Sequence, residues 1–191
     1  MSLPHAILGF LNVMPMTGYD LKTQAFDRSV AHFWPAVQPQ IYRDLARLEA
    51  AGHVRSETEV QRGKPNRRVY HITPAGRTEL DRWLRTTPAV PGHREPFLIQ
   101  LFFGAGLTNS ELTTLLQAQR AGHQARLDAL QAVTIPPPAP ADVRRQTLTR
   151  LTLDLGLHLE RAYLNWLDDA LRTVAALDPA PAPAPMTDTD A

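Results

Sequence analysis

The sequence contains no cysteine. That excludes disulfides, thiol nucleophiles and cysteine-bound zinc, and it is in keeping with a reducing compartment. No apolar run approaches the roughly 20 residues that a membrane-spanning helix needs. Residues 1–13 place no Lys or Arg ahead of their apolar stretch, so the basic start of a secretory signal is missing. A soluble, cytoplasmic protein is expected. Catalytic signatures are missing as well: there is no GxSxG, no phosphate-binding glycine loop, no dinucleotide fingerprint and no HExxH among the seven histidines. His158 and Glu160 fall on different faces of one predicted helix, and Asp168-Asp169 reads as a solvated pair. No catalytic residue, metal ligand or cofactor is assigned, and an enzyme is not expected.

What is present is a packed-core composition, 43% hydrophobic and 20% charged, over 191 residues. Its near-neutral net charge of +1 conceals an asymmetry: residues 1–87 hold 12 Lys/Arg against 8 Asp/Glu, and residues 88–191 hold 8 against 11. Arg62, Lys64, Arg67 and Arg68 crowd together with no acid between them. A local basic patch on a nearly neutral chain points either to a polyanion contacted at one place or to a solvated charged loop.

Proline, glycine and hydrophobic period divide the chain. Pro4 opens an apolar helix over His5–Val13. Thr17 is a predicted N-cap for a second helix to about Ser29, with Tyr19, Leu21, Ala25 and Phe26 on its apolar side. A third helix starts at Gln38 or Pro39. In it Ile41, Leu45, Leu48 and Ala51 recur at spacings of four and three, which leaves Gln40, Arg43, Asp44 and Arg47 pointing away from the core. Gly52 closes that helix. Val54–Val60 and Arg68–Ile72 alternate as strands around a Gly-Pro-Asn turn. Thr73 and Pro74 begin a fourth helix whose apolar face is Leu80, Trp83 and Leu84. Residues 88–96 form a linker with three prolines. The remainder reads as helix: Phe97–Phe103, then a long helix capped by Thr108 or Asn109, then another over Ala141–Leu177. Leu148, Leu151, Leu155, Ala162, Trp166, Ala170, Val174 and Leu177 are predicted to follow the inner face of the last. Residues 178–191 are a low-complexity Ala-Pro tail expected to be disordered.

Three helices, a two-stranded wing and a fourth helix make a winged helix-turn-helix over residues 1–87. The fold class is mainly α with a small β-hairpin, followed by an α-helical domain at 97–177. A major groove admits one helix with its side chains. The third helix buries one stripe and leaves the other face free for base edges, with Arg suited to guanine and Gln to adenine. N-terminal residues of such a helix reach bases most readily, so Gln38, Gln40 and Arg43 are the candidate readers. Arg47 is placed nearer phosphate, and Lys64, Asn66 and Arg67 at the wing are backbone contacts that position without reading. The alternative for the helix is a plain solvent face, and for the module an adaptor that binds protein.

Residues 5–85 resemble the winged helix of PadR-type regulators, named for control of phenolic acid decarboxylation. The resemblance is carried by "HAILGFLNVMPMTGYDLK", "HFWPAVQPQIYRDLARLEAAGHV" and "GKPNRRVYHITPAGRTEL". It implies a homodimer that represses transcription by binding double-stranded DNA and lets go when an inducer binds. By position it implies Tyr19, Gln40, Tyr42, Arg43, Lys64 and Arg67 as contacts, with Tyr42 also close to the core, and Thr73, Pro74 and Gly76 as structural punctuation. The C-terminal half resembles the longer-tailed branch of the family, whose helices pair across a dimer axis; an intrachain bundle is the alternative. Trp34, Tyr163 and Trp166 are candidate effector-binding residues lining a pocket between the domains, since aromatic rings suit flat aromatic inducers. Ordinary core packing is the competing explanation for each.

Overall fold

The computed structural model describes residues 2–60, 66–90, 92, 94–135 and 142–177. The chain divides into two compact units, with the boundary after Val90. Arg62 and Lys64 of the wing tip, the run Pro136–Pro140 and the tail 178–191 lie outside the described residues.

The first unit runs α1 (Leu3–Val13), β1 (Met16–Thr17), α2 (Gly18–Asp20, continuing as a wider π-helical stretch Leu21–Val30), α3 (Gln38–Ala50), β2 (Val54–Glu59), β3 (Arg67–Ile72) and α4 (Pro74–Leu84). Thr17 caps α2, its hydroxyl accepting from the Asp20 amide at 3.0 Å. At the end of α3, Gly52 takes a left-handed φ of 72°. The Gly52 amide donates to the Glu49 carbonyl and the His53 amide to that of Leu48, both at 2.9 Å. These bonds satisfy the last carbonyls of the helix and turn the chain into β2. The sheet has order β1-β3-β2, all antiparallel. Its register sets Val54 opposite Ile72 and Glu59 opposite Arg67. At two residues, β1 is too short to give any periodic signal in the sequence.

Ile7, Leu8, Phe26, Ile41, Leu45 and Tyr70 are among the side chains forming one core beneath α1, α2, α3 and the sheet. Three expectations for this unit need correction. Tyr19, expected on the apolar side of α2 with Leu21, Ala25 and Phe26, is 59% exposed, while the other three are buried. Leu84 is 64% exposed, leaving α4 to pack through Leu80 and through Trp83, whose ring stacks on His5 at 4.7 Å. Asp44, assigned to the outer face of α3, is buried, with Arg47 Nη1 donating to it at 3.3 Å. In each case the period allows either outcome, and the elements packed against the helix decide which side chains are covered.

The second unit runs α5 (Pro96–Phe102), a 3-10 turn (Gly104–Gly106), α6 (Asn109–Gln131) and α7 (Val143–Ala175). Thr108 caps α6 in a reciprocal box: its hydroxyl accepts from the Glu111 amide, and Glu111 Oε2 accepts from the Thr108 amide at 2.8 Å. The helices α6 and α7 pack along their length, through a core of Phe97, Leu112, Leu116, Leu167 and Val174. Arg120 Nε donates to Asp168 Oδ1 at 2.7 Å, so Asp168 is an interhelical ion-pair partner and not merely solvated.

The expected inner face of α7 is the main correction. Leu148, Leu151 and Leu155 are 53%, 58% and 62% exposed, and Trp166 and Leu177 are exposed as well. The side chains buried on this helix are Leu153, Leu164, Leu167 and Val174. The helix therefore carries two apolar stripes. One is covered within the chain; the other, Leu148, Leu151, Leu155, Leu159, Ala162 and Trp166, keeps the three-and-four spacing of a helix-packing seam while lying open. Periodicity reports a stripe, but it does not say which neighbour the stripe faces. No helix among the described residues is long and apolar enough to cross a membrane.

Candidate nucleic-acid interface

Four of the predicted contact residues come together from three separate elements. Tyr19 from α2, Tyr42 from α3, and Asn66 and Arg67 at the start of β3 line one groove of about 670 Å³, joined by Arg68 and Tyr70. The floor depends on Gly18. A Cβ added there would come within 2.6 Å of Tyr42 Cε1, so the absence of a side chain is what lets the Tyr42 ring lie against the start of α2. Tyr42 is thereby held in place yet stays 42% exposed.

Each wing-base arginine is tied to a helix. Arg67 Nη2 donates to Asp20 Oδ2 at 3.2 Å. Arg68 Nη2 donates to Glu49 Oε2 at 2.6 Å and its Nε to Ser56 Oγ at 2.9 Å. Ser56 Oγ in turn donates to Glu49 Oε1 at 2.6 Å. The Ser56 hydroxyl, followed by the Arg68 guanidinium, holds the Glu49 carboxyl below the usual glutamate range against the opposing effect of desolvation. The Arg68 guanidinium also lies 5.4 Å from the centre of the Tyr70 ring. This network fixes the base of the wing to β2 and to the last turn of α3. Burial, ahead of the neighbouring charges, raises the Tyr70 phenol above its ordinary value, so the ring presents a neutral hydroxyl.

Along α3, Gln38, Gln40, Arg43 and Arg47 are all exposed. Gln40, Arg43 and Arg47 follow one another at spacings of three and four, and so share a face. Gln40 has a second employment: its Oε1 accepts from the Val37 amide at 3.3 Å, across the helix start. Among the described residues Arg43 has no ion-pair partner. Lys64 lies outside the described residues. The residues missed from sequence are Asp20, Gln24, Arg68 and Tyr70 in the groove. Arg68 stood in the basic run, but whether Arg67 or Arg68 would face α2 depends on strand register.

The aromatic candidates divide between the units. Tyr163 and Trp166 do share a concavity of about 340 Å³, with Leu98 and Ala162, all in the second unit. Trp34 belongs to the first unit and is 38% exposed. Tyr163 stacks on His123 at 4.3 Å with the planes 12° apart, and His123 Nδ1 lies 2.6 Å from Glu160 Oε2. Burial, with the negative charges of Glu95 and Glu160 adding to it, raises the Tyr163 phenol above its ordinary value. The His123–Glu160 pair was invisible in sequence because its members are 37 residues apart and meet only when α6 and α7 align.

Comparison with known proteins shows the family. The model described as "Transcriptional regulator PadR-like family" matches residues 7–82, and "Virulence activator alpha C-term" matches residues 93–175. The chain is 30% identical over 177 residues to the negative transcriptional regulator PadR of Bacillus subtilis, covering 90% of this chain and 97% of that protein. It is similar to the crystal structure of Bacillus subtilis PadR in complex with operator DNA, with a TM-score of 0.79 and 28% identity over 91% of this chain and 99% of the other. The complex of that regulator with p-coumaric acid gives a TM-score of 0.73 and 27% identity, covering 92% and 99%. The matching regulators control transcription and are not enzymes. With both halves matched and a relative aligned over nearly its full length, the chain belongs to the PadR-like transcriptional regulator family.

Proposed function

We propose that this regulator is a cytoplasmic repressor that binds an inverted-repeat operator as a homodimer and is released by a small aromatic effector. The observation that carries the DNA-binding part is the shared groove. Tyr19, Tyr42, Asn66 and Arg67 converge from three elements next to the exposed face of α3. Gln38, Gln40 and Arg43 read base edges, Gln40 giving up its contact with the Val37 amide to do so. Arg47, Lys64, Asn66, Arg67 and the two tyrosines hold the backbone. The open stripe on α7 supports pairing with a second copy, which would set two α3 helices about one DNA turn apart. The similar PadR is named a negative regulator and was solved with operator DNA and with p-coumaric acid. The apolar concavity lined by Leu98, Ala162, Tyr163 and Trp166 suits a flat aromatic ligand.

Selection of bound duplexes from a random pool tests the reading. An inverted-repeat consensus, lost from the bound fraction when a phenolic acid is added, is the expected result. No enrichment over random DNA would refute operator binding, and enrichment indifferent to every phenolic acid tried would refute the effector class.

The division of labour has its own test. Arg47→Ala should weaken binding to every duplex alike and lower the salt slope by roughly one unit. Arg43→Ala should instead relax sequence preference at one position, at about 1–3 kcal/mol on the selected site. Identical behaviour of both variants on selected and random DNA would remove the distinction between reading and holding.

A further inference from the structure

Asp20 sets a carboxylate inside the groove that is to meet phosphate. Its placement is built, not incidental. Asp20 Oδ2 accepts from the Thr17 hydroxyl at 2.7 Å and from Arg67 Nη2 at 3.2 Å, and Oδ1 accepts from Gln24 Nε2 at 2.8 Å. The side chain is 18% exposed against 47% for Arg67. Its position in the first turn of α2 is one where a negative charge is favoured. A guanidinium already engaged by one anion must release it, or share it, to grip another, and a fixed carboxylate repels an arriving phosphate over several ångströms.

We propose that Asp20 is a positioning residue for DNA recognition: it holds Arg67 in the unbound regulator and hands it to a phosphate only when the chain is seated in register. This rests on the proposed DNA-binding function. Loose, sequence-independent encounters do not offer a phosphate at the one place where Arg67 can exchange partners, so they meet the repulsion without the compensating contact. A seated complex gains the contact and offsets the loss. Asp20 therefore widens the gap between operator and random DNA at some expense to total affinity, by repelling the wrong complex more than the right one.

The test is a double-mutant cycle in the full-length protein, with two probes: a 30-base-pair duplex of random sequence and the duplex recovered by selection. Asp20→Asn keeps the size of the side chain and an oxygen for the Thr17 hydroxyl. It should raise affinity for the random duplex by about three- to tenfold at low salt and raise affinity for the selected duplex less, so that the ratio between them falls. In the Arg67→Ala background the same substitution should still relieve the repulsion but should no longer change the ratio between the duplexes, because there is no guanidinium left to hand over. An equal fall of the ratio in that background would show a general charge effect and overturn the handover, as would equal gains on both duplexes or none on either in the wild-type background. If Asp20→Asn lowers the melting temperature, Gln24→Ala supplies an independent arm: it loosens the carboxylate without removing its charge, and the inference requires a smaller change in the same direction. Wild-type protein that binds neither duplex would remove the functional reading itself; wild-type binding with an unresponsive cycle would remove only the role of Asp20.

Discussion

Gly76→Ala is expected to destabilise the first unit by about 3 kcal/mol or more. The usual cost of forcing a methyl group into packed space is about 1–3 kcal/mol, and here the obstacle is backbone. A Cβ built on Gly76 would overlap the His53 carbonyl oxygen and come within 2.9 Å of Ile72 Cγ1. That carbonyl cannot swing aside, because it accepts from the Thr73 amide at 3.0 Å and from the Thr73 hydroxyl at 3.0 Å. The same hydroxyl accepts from the Gly76 amide at 3.0 Å, so the start of α4, the end of β3 and the turn after α3 are locked together at one point. For a unit of this size the loss corresponds to a fall in melting temperature of roughly 12–24 °C. Gly9→Ala is the control. Gly9 lies within α1, with nothing within 4 Å of an added Cβ, so that variant should gain about 0.5–1 kcal/mol from helix propensity. Thermal unfolding of the two variants beside wild type gives opposite signs for the same chemical change; a Gly76→Ala protein melting within a degree or two of wild type would show that the α4 junction yields.

The second large effect concerns assembly. Leu151→Asp/Leu155→Asp should leave the helical content of the chain intact while abolishing the proposed dimer. Both leucines are more than half exposed in the single chain, so the substitution costs the monomer little. If two copies cover them, a symmetric pair loses four buried side chains. At about 1.5 kcal/mol each that is about 6 kcal/mol, on the order of four decades in dissociation constant. Analytical ultracentrifugation reads the outcome directly, and operator binding should fall with it, since a lone winged helix engages one half-site. Leu167→Ala separates the two stripes of α7. Leu167 is 1% exposed and lies in the core with Phe97 and Leu116, so its loss should lower the stability of the second unit by about 2–5 kcal/mol. A doubly substituted protein that remains a dimer would place the interface elsewhere.

Much of the first unit was legible in the residues because its signals are local. Thr17 and Thr73 as N-caps, Pro74 at a helix start, Gly52 at a helix end and the alternation of β2 and β3 each depend on bonds within a few residues. So does the exposure of Gln38, Gln40, Arg43 and Arg47, which follows once Ile41, Leu45 and Leu48 are buried. The second unit was less legible for the same reason. The two stripes of α7 are nearly equal in apolar content, and local sequence cannot rank them. Tyr163 and Trp166 stood out as aromatic residues on one face, but the His123 ring on which Tyr163 stacks comes from another helix.

The order of elements, the helix boundaries to within a few residues and the polar face of α3 can be read from the residues alone, because caps, breakers and hydrophobic period act over one or two turns; the family shows in longer motifs that match other regulators. It takes the folded chain to show that Tyr19 faces a groove and not the core, that Asp44 is buried, that Asp20 and Glu49 hold the two wing-base arginines, and that Leu148, Leu151 and Leu155 are exposed. Each is a matter of phase or register between segments far apart in sequence. A rotation of half a turn, or a slip of one residue between strands, exchanges inside for outside without altering any local preference.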